Sequence, residues 1–470
     1  MKPATREAYR LFHEGVQALA DIECVGLPVS LDRLRESSLE IKREVRQLET
    51  AMRSTEVYGI QRNRYKKSTS PGSREQISRI IYDHYGLSGS EKSDDGGFKF
   101  DKQVVENIQE SPETPEAIRE YLTLFSRIQK LQTLQSTFID GLSKDCVNGR
   151  VHGFLNLHTT KTYRGSADSP NLNNLPSRDP EASRLVKGAV VPRPGYHIVE
   201  IDYSALEVHI AACYHHDPTM ISYLNSGYDM HRDMAAECYF LTDEWKTKYP
   251  KTAKALRQHA KMAFVFSAFY GDYFASMTEK LWRFAKVPEV REILELNGIR
   301  KLGVVKNGKK LQADEASKDS YARHIKEVDT RFWNERFSVY NQWKKDLWDQ
   351  YTRTGYIYTH TGFRIHGVLK RNELSNIGTQ GSAFHCLLQS IIDINREIKQ
   401  RKWKSRVVNE VHDSLISEVA EDELDEYISV SRDVMTHRLR EKWKWIAMDL
   451  KTETEYSPDS WHDKKAYNKE

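Results

Sequence analysis

The sequence predicts an α+β fold, and three stretches support this prediction. HIVEIDYSALEVHIAA, at 197–212, opens with strand-forming residues and continues as an apolar run at helical spacing. RVVNEVHDSLISEV, at 406–419, has the pattern of two short strands joined by a tight turn. Residues 1–150 are instead charged, with apolar residues at helical spacing. The chain is therefore expected to combine a small sheet with long helical regions.

The first stretch carries an acid at the junction of its strand and its helix. Glu200 and Asp202 lie on one face of the strand, because strand side chains alternate between faces. Ser204 followed by Glu207 matches a capping box, which predicts that the helix begins there. Asp202 therefore has two interpretations. It satisfies free backbone N–H groups at the helix entry, or it holds a metal ion at a rigid position.

The second stretch supplies another acid on a rigid β element. Asp413 lies in the predicted turn, between His412 and Ser414. Two-metal phosphoryl transfer needs carboxylates that hold two cations ~4 Å apart. Two aspartates on strands far apart in sequence meet this need, so the pair favours the metal-site interpretation of Asp202.

These two stretches resemble known motifs. DYSALEVHIAA resembles motif A, and VHDSL motif C, of the family A (DNA polymerase I-like) DNA polymerases. The resemblance implies a right-hand polymerase fold, whose palm contains an antiparallel sheet and whose fingers and thumb are helical. It implies a DNA-directed DNA polymerase, similar to bacteriophage enzymes, that adds dNTPs to a primer 3′-OH in DNA replication. Asp202 and Asp413 would then be catalytic, and with the Tyr203 carbonyl they would bind two Mg²⁺ ions.

Composition sets broad limits on the class of protein. The 470 residues include 71 Lys and Arg against 67 Asp and Glu, so a basic groove for DNA would require local segregation of charge. The five cysteines form no CxxC pair, which argues for a reducing compartment and against a zinc site. The sequence has no apolar leader and no candidate membrane span. The expected location is the cytoplasm of a bacterial or phage-infected cell.

The resemblance extends to a nucleotide site. Tyr228–His231 resembles the family's D-I-H segment, and RQHAKMAFVFSAFYG, at 257–271, resembles the O-helix of the fingers. Arg257 and Lys261 are four residues apart and share a helix face, although exposed basic faces are common. Glu207 would block a ribose 2′-hydroxyl, or it would only complete the capping box. The implied nucleotide-binding residues are Glu207, His231, Arg257, Lys261, Phe266 and Tyr270.

The spacing within the O-helix departs from the family. The family separates the Lys from the Tyr by eight residues, whereas Lys261 and Tyr270 are nine apart. One extra residue rotates everything after it by about 100° on an ideal helix. Either a π-bulge absorbs the residue or Phe269 takes the place of the Tyr. We assign the sugar contact to Phe266, with Phe264 as runner-up, which requires the bulge to lie between Lys261 and Phe266.

The resemblance also implies contacts with a primer–template. TTKTYRGSADSPNLNNLP, at 159–176, resembles a family segment, with Tyr163 where the family has Gly. NIGTQGSAFHCLLQS, at 376–390, resembles the family's Q-G-[ST]-A helix. Ser414 stands where cellular enzymes most often have Glu. The implied primer–template residues are Arg164, Asn171, Asn174, Asn376, Gln380 and His412.

The predicted domain order follows the right hand. Residues 1–30 lead into the thumb at 31–145, and the fingers at 218–382 separate the palm segments at 146–217 and 383–470. Residues 287–318 read as an insertion or hairpin without an assigned function. No proofreading exonuclease is expected, because in the family it precedes the polymerase region, whereas here the thumb-like pattern starts almost at Met1. Asp21-Ile22-Glu23 mimics the exonuclease D-x-E, but it lies inside the first predicted helix and is read as helix surface. We therefore expect that a processivity or exonuclease partner could act in trans.

Three other functions stay open on the sequence. A single-subunit RNA polymerase shares the HDS form of motif C but has a small residue where Glu207 stands. A metal-dependent nuclease would use two aspartates without needing the O-helix cations. A non-catalytic nucleic-acid binder would not need to retain Asp202 and Asp413.

Overall fold

The computed structural model describes residues 2–87, 97–111, 113–306, 310–312 and 317–468. Its N-terminal part is mostly helical, as predicted. Side-chain caps start several helices: Ser30 Oγ accepts the Arg33 N–H, and Asp101 Oδ1 accepts the Val104 N–H. Its elements are β1 (Lys2–Pro3), α1 (Arg6–Val25), β2 (Leu27–Pro28), α2 (Leu31–Arg53), α3 (Glu56–Tyr65), α4 (Arg74–Arg79), α5 (Lys102–Glu110), α6 (Glu116–Thr133), α7 (Asp140–Asp145), β3 (Cys146–Val147), β4 (Arg150–Val151), β5 (Phe154–Asn156) and β6 (Ser166–Asp168).

The central part is helical around one strand that joins the main sheet. Short π-helical turns, Lys261–Phe266 and Phe332–Arg336, interrupt two of its helical stretches. Its elements are α8 (Pro180–Lys187), β7 (Tyr196–Tyr203), α9 (Leu206–His215), α10 (Pro218–Ser226), α11 (Met230–Tyr239), α12 (Asp243–Lys248), α13 (Pro250–Ala260), α14 (Ser267–Phe269), α15 (Phe274–Trp282), α16 (Pro288–Leu296), β8 (Val304–Lys306), β9 (Lys310–Gln312), α17 (Tyr321–Arg331), α18 (Ser338–Thr354), β10 (Tyr356–Tyr358) and β11 (Phe363–His366).

The C-terminal part completes the main sheet. Its elements are α19 (Arg371–Arg401), β12 (Arg406–Val411), β13 (Ser414–Ala420), α20 (Leu424–Asp433), α21 (Leu439–Lys442), β14 (Thr452–Ser457) and β15 (Lys465–Ala466). The strand order is β12-β13-β7-β14-β15, and each neighbouring pair is antiparallel. The long helix α19 is buried along most of its length and packs with α1 and α9. Motif A thus supplies the middle strand and motif C the adjoining hairpin.

The predicted hairpin within 287–318 is present as the antiparallel pair β8 and β9. Residues 307–309 and 313–316 of that segment lie outside the described residues. The helix α19 runs through the predicted fingers–palm boundary at 382/383, so that boundary does not coincide with the end of an element. No helix of the described chain is both long and apolar enough to cross a membrane.

One local prediction was wrong: Ser204 and Glu207 do not form a capping box. The helix α9 begins at Leu206, and its N-cap is Ala205 in the left-handed region, at φ +53°. Ser204 is instead held at the start of β14, because its N–H donates to the Lys451 carbonyl at 2.9 Å. Its hydroxyl donates to Glu453 Oε1 of the same strand at 3.3 Å. Glu207 is therefore free of a capping role.

Candidate active site

The sheet brings the two predicted aspartates to one end. Asp202 lies at the end of β7, directly opposite Ser414 of β13. Asp413 precedes Ser414 in the hairpin turn, and its carbonyl accepts the Tyr203 N–H at 3.2 Å. The tight turn is closed by His412 in the left-handed region, at φ +66°. Strand pairing thus fixes the backbones of the two aspartates relative to each other.

The electrostatics of this end favour a bound cation. Burial raises the pKa of Asp202 to about 7, and the charges of Asp413, Glu200 and Glu453 act in the same direction. Burial also raises the pKa of Asp413, while Arg164 opposes the shift. Among the described residues, no side chain donates a hydrogen bond to either carboxylate. Half-buried oxygen ligands with uncompensated negative charge fit Mg²⁺.

The strand register reveals an acid that the sequence analysis missed. Glu453 in β14 lies directly opposite Asp202, on the side away from Ser414. Residues opposite one another on adjacent strands point to the same face of a sheet. The TETEYS pattern of β14 alternates as a strand, but its register against β7 could not be read from the sequence.

A cavity of about 650 Å³ opens beside Asp413, between the sheet end and the central helices. Its lining residues come from α9, α10, α11, the α13–α14 segment, α18 and α19. All six predicted nucleotide-binding residues line it, together with two of the six predicted primer–template residues: Glu207, His231, Arg257, Lys261, Phe266, Tyr270, Asn376 and Gln380. Arg164, Asn171, Asn174 and His412 lie outside this lining.

One wall of the cavity is cationic. Arg257 Nε donates to Asp229 Oδ2 at 2.7 Å, which holds the guanidinium toward α11. Lys261 Nζ lies 5.3 Å from the centroid of the Phe266 ring. Burial and the nearby Lys261 and Arg257 lower the pKa of His231 to about 4, and its buried Nδ1 has no partner among the described residues. These donors and charges suit the oxygens of a phosphate chain.

The π-helical turn lies where the extra O-helix residue required it, between Lys261 and Phe266. After this turn Phe266 lines the cavity, and its ring meets His231 edge-on at a centroid distance of 5.9 Å. Phe264 is instead fully buried and packs against Phe332 at 5.4 Å. Phe266 is therefore accessible from the cavity, whereas Phe264 is not.

Tyr270 links the helices that surround the cavity. Its hydroxyl donates to Glu207 Oε2 at 2.8 Å, and its carbonyl accepts the Asn376 amide at 3.2 Å. Burial, together with the Glu207 carboxylate, raises the pKa of Tyr270 to about 12. Arg164 approaches the other Glu207 oxygen at 3.9 Å. Glu207 therefore stands between the nucleotide cavity and the loop of Arg164.

The Asn-rich loop divides its polar residues between surface and interior. Asn171 and Asn174 are exposed, and Asn171 Oδ1 accepts the Asn173 N–H at 3.1 Å in a local turn. Asn173 is buried and donates to Glu410 in β12 at 3.1 Å. Tyr163 has φ +52°, the left-handed region that glycine tolerates best, which gives a physical reason for the family's Gly there.

Comparison with known proteins gives the family. The profile of DNA polymerase family A matches residues 31–295 and 309–463, and the chain belongs to that family. DNA polymerase I of Geobacillus stearothermophilus is 26% identical over 451 residues, which cover 95% of this chain and 45% of that protein. The DNA polymerase of Escherichia phage T5 is 27% identical over 448 residues, 89% of this chain and 48% of that protein. The chain thus spans about half the length of these curated relatives.

The fold has a solved counterpart. The POL domain of Pol1 from M. smegmatis, determined in complex with DNA primer-template and dNTP, matches with a TM-score of 0.73. The match covers 96% of this chain and 70% of that chain at 23% identity. It confirms the predicted α+β, right-hand polymerase fold.

Proposed function

We propose that the chain is a template-directed DNA polymerase that extends a primer 3′-OH with dNTPs. The observation that carries the proposal is the meeting of Asp202 and Asp413 at one end of the sheet, beside a cavity that Asp413, Arg257 and Lys261 line together. A nuclease would use the two acids but has no need of a cationic wall beside them. The M. smegmatis domain, determined in complex with DNA primer-template and dNTP, supports the same substrates here.

Each part of the site has a role in this reaction. Asp202, Asp413 and the Tyr203 carbonyl would hold Mg²⁺, which supplies activation of the attacking oxygen and stabilisation of the leaving pyrophosphate. Arg257, Lys261 and His231 bind and orient the triphosphate. Phe266 packs on the sugar, and Glu207 closes the space that a 2′-hydroxyl would need.

The primer–template approaches from the side of Arg164. Its guanidinium, with Gln380 and His412, would contact the strands next to the reacting ends, while the exposed Asn171 and Asn174 extend that surface. We include a processivity or exonuclease partner in trans in the proposal. The proposed place of action is the cytoplasm of a bacterial or phage-infected cell.

We also propose that this chain does not proofread. The D-x-E in α1 is engaged in structural contacts: Asp21 pairs with Lys399 at 2.7 Å. Glu23 Oε1 accepts the Leu155 N–H at 2.6 Å and so anchors β5. Both acids thus serve the packing of α1.

Primer extension tests the function. The purified chain should extend a labelled primer on DNA with dNTPs and Mg²⁺, discriminate against rNTPs, and leave a mismatched 3′ end untrimmed without nucleotides. Preferential use of rNTPs would indicate an RNA polymerase, and degradation alone a nuclease. Either result would overturn the proposal.

The two O-helix phenylalanines provide a matched test of the nucleotide site. In the family a Tyr at the sugar-contacting position accepts dideoxynucleotides, whereas Phe disfavours them. Phe266→Tyr should therefore increase termination by ddNTPs by tenfold or more, about 1.4 kcal/mol of barrier. Phe264→Tyr, in the buried position, should leave ddNTP discrimination unchanged. The reverse pattern would contradict the assigned register.

A further inference from the structure

Two buried polar side chains connect the Arg164 loop to the strand before the catalytic turn. Glu410 of β12 is 1% exposed, and Asn173 is 8% exposed. Asn173 Nδ2 donates to Glu410 Oε1 at 3.1 Å. The other half of each group, Glu410 Oε2 and Asn173 Oδ1, is buried without a partner among the described residues. Both orphans are acceptors when the carboxyl is ionised.

A proton on Glu410 would supply the missing hydrogen-bond donor. A neutral carboxylic acid donates through one oxygen and accepts through the other, and a primary amide has the complementary pair. An ionised carboxylate would leave both buried acceptors without a donor, at the cost of an unpaired buried charge. The pair therefore makes two hydrogen bonds only when Glu410 is protonated.

The surroundings of Glu410 agree with the neutral form. Burial raises the pKa of Glu410 to about 7, while Asn173, the charge of Arg164 and the backbone of His412 act against that rise. Across the sheet Glu410 faces the apolar Leu415. Arg164 approaches Glu207 at 3.9 Å and forms no ion pair with Glu410 among the described contacts.

The Arg164 loop is in direct contact with Glu410. A Cβ at Gly165 would lie 2.5 Å from the Phe384 ring and 2.8 Å from Glu410 Oε1. Such distances leave no room for a side chain, so the backbone next to Arg164 is in contact with Glu410. A displacement of Glu410 would therefore move Arg164.

We propose that Glu410 and Asn173 form a neutral acid–amide pair that fastens the Arg164 loop to the hairpin carrying His412 and Asp413. In this role both are positioning residues for primer–template binding. The inference rests on the proposed polymerase function, but its tests on binding and stability do not require turnover.

Glu410→Gln is the discriminating variant, because a glutamine amide can make both hydrogen bonds with Asn173 without a proton. It should bind primer–template DNA within twofold of wild type. Asn173→Ala removes both bonds and should weaken DNA binding about tenfold, with turnover at saturating DNA changed less than threefold. Fluorescence anisotropy at several pH values gives the binding constants.

The pH dependence of stability supplies a second measurement. Because the pKa of Glu410 is raised in the folded state, the folded protein loses stability as pH rises from the ordinary pKa of a glutamate through about 7. Wild-type Tm should therefore fall relative to that of Glu410→Gln between pH 5.5 and pH 8. Glu418→Gln is the matched control: Glu418 is equally buried but is paired with Arg150 and Arg193. Glu418→Gln should lower Tm, but its Tm should still fall with rising pH as that of the wild type does, because Glu410 is unchanged.

The outcomes separate cleanly. At pH 6 both Glu410 and Asp202 contribute to the protonated-carboxyl infrared absorption of the wild type. Loss of one component of this absorption in Glu410→Gln supports the pair even if Asn173→Ala does not fold. The same absorption in wild type and Glu410→Gln, or DNA binding by Glu410→Gln as weak as that of Asn173→Ala, would overturn the inference. If the wild-type protein shows the expected binding and infrared results but does not extend a primer, the proposed function is contradicted and the inference about Glu410 and Asn173 still holds.

Discussion

Glu200 and Asp202 are two acids of the same strand and the same face, yet the protein treats them differently. Glu200 Oε2 accepts the Trp461 indole N–H at 2.6 Å and forms an ion pair with Lys464. Lys464 also contacts Glu455, the residue opposite Glu200 on β14, at 2.7 Å. Asp202, two residues further along, faces Asp413 and Glu453 without any cationic side chain in hydrogen-bond contact among the described residues.

The pKa values of the two acids follow from this difference. Burial raises the pKa of Glu200, but Lys464 and Trp461 outweigh burial and hold it below its usual range. Burial raises the pKa of Asp202 to about 7, and its neighbouring acids add to the shift. The sheet therefore compensates the charge of Glu200 and leaves uncompensated the charge of Asp202, the acid that we propose binds a cation. Uncompensated charge in a rigid frame is the mark of a functional site.

The largest expected difference between the two acids is in turnover. Asp202→Asn and Asp413→Asn should each reduce primer extension by 100-fold or more, about 2.7 kcal/mol of barrier, because each removes a proposed metal ligand. DNA binding should remain within a fewfold of wild type. Glu200→Gln is the control on the same strand and should cost less than tenfold. Activity within tenfold of wild type in Asp202→Asn would remove that residue from the metal site.

Lys464→Met should destabilise the protein, because it leaves Glu200 buried without its cation. The side chains of Lys464 and Glu200 are 14% and 16% exposed, so solvent screens the pair weakly. Removing one partner of such a pair costs about 3 kcal/mol. Urea unfolding measures the loss, and the double variant with Glu200→Gln should recover part of it. Additive losses in the double variant would mean that the two residues do not interact.

Without metal, substitution of the two acids should change stability with opposite signs. Asp202→Asn removes repulsion and should increase the free energy of unfolding at pH 8 by about 1–3 kcal/mol. Glu200→Gln removes an ion pair and should decrease it by a similar amount. Thermal unfolding in EDTA measures both. Destabilisation by Asp202→Asn would show that its charge is compensated after all.

The sequence predicted those features that depend on local spacing. The hairpin of Asp413 follows from two apolar runs around a polar turn. The π-helical turn before Phe266 follows from one surplus residue between a Lys and a Tyr, because the helix must recover its phase. These predictions needed no knowledge of distant parts of the chain.

The features that the sequence did not predict depend on contacts between distant segments. The predicted capping box at Ser204 is absent because that residue is hydrogen-bonded to the start of β14. Glu453 joins Asp202 through strand register, and Asn173 reaches Glu410 across 237 residues. Tyr163 tolerates its left-handed backbone while its ring packs on Phe12 and Phe363, at 5.2 and 5.8 Å. No local pattern encodes such partners.

The smallest expected effect is a pH-dependent stabilisation by Mg²⁺, and it would show directly that the uncompensated acid receives the cation. Because the pKa of Asp202 is raised to about 7, the folded protein loses stability without metal as pH rises from about 4 to 7. Above pH 7 the ionised carboxylate is available to Mg²⁺, whereas below it protons compete. A metal that binds only the folded state adds about 1.4 kcal/mol at ten times its Kd.

The rise in Tm on adding Mg²⁺ should therefore be larger at pH 8 than at pH 6. Glu200→Gln should retain this difference and Asp202→Asn should lose it, whereas a Mg²⁺ effect that is equal at both pH values would place the cation elsewhere.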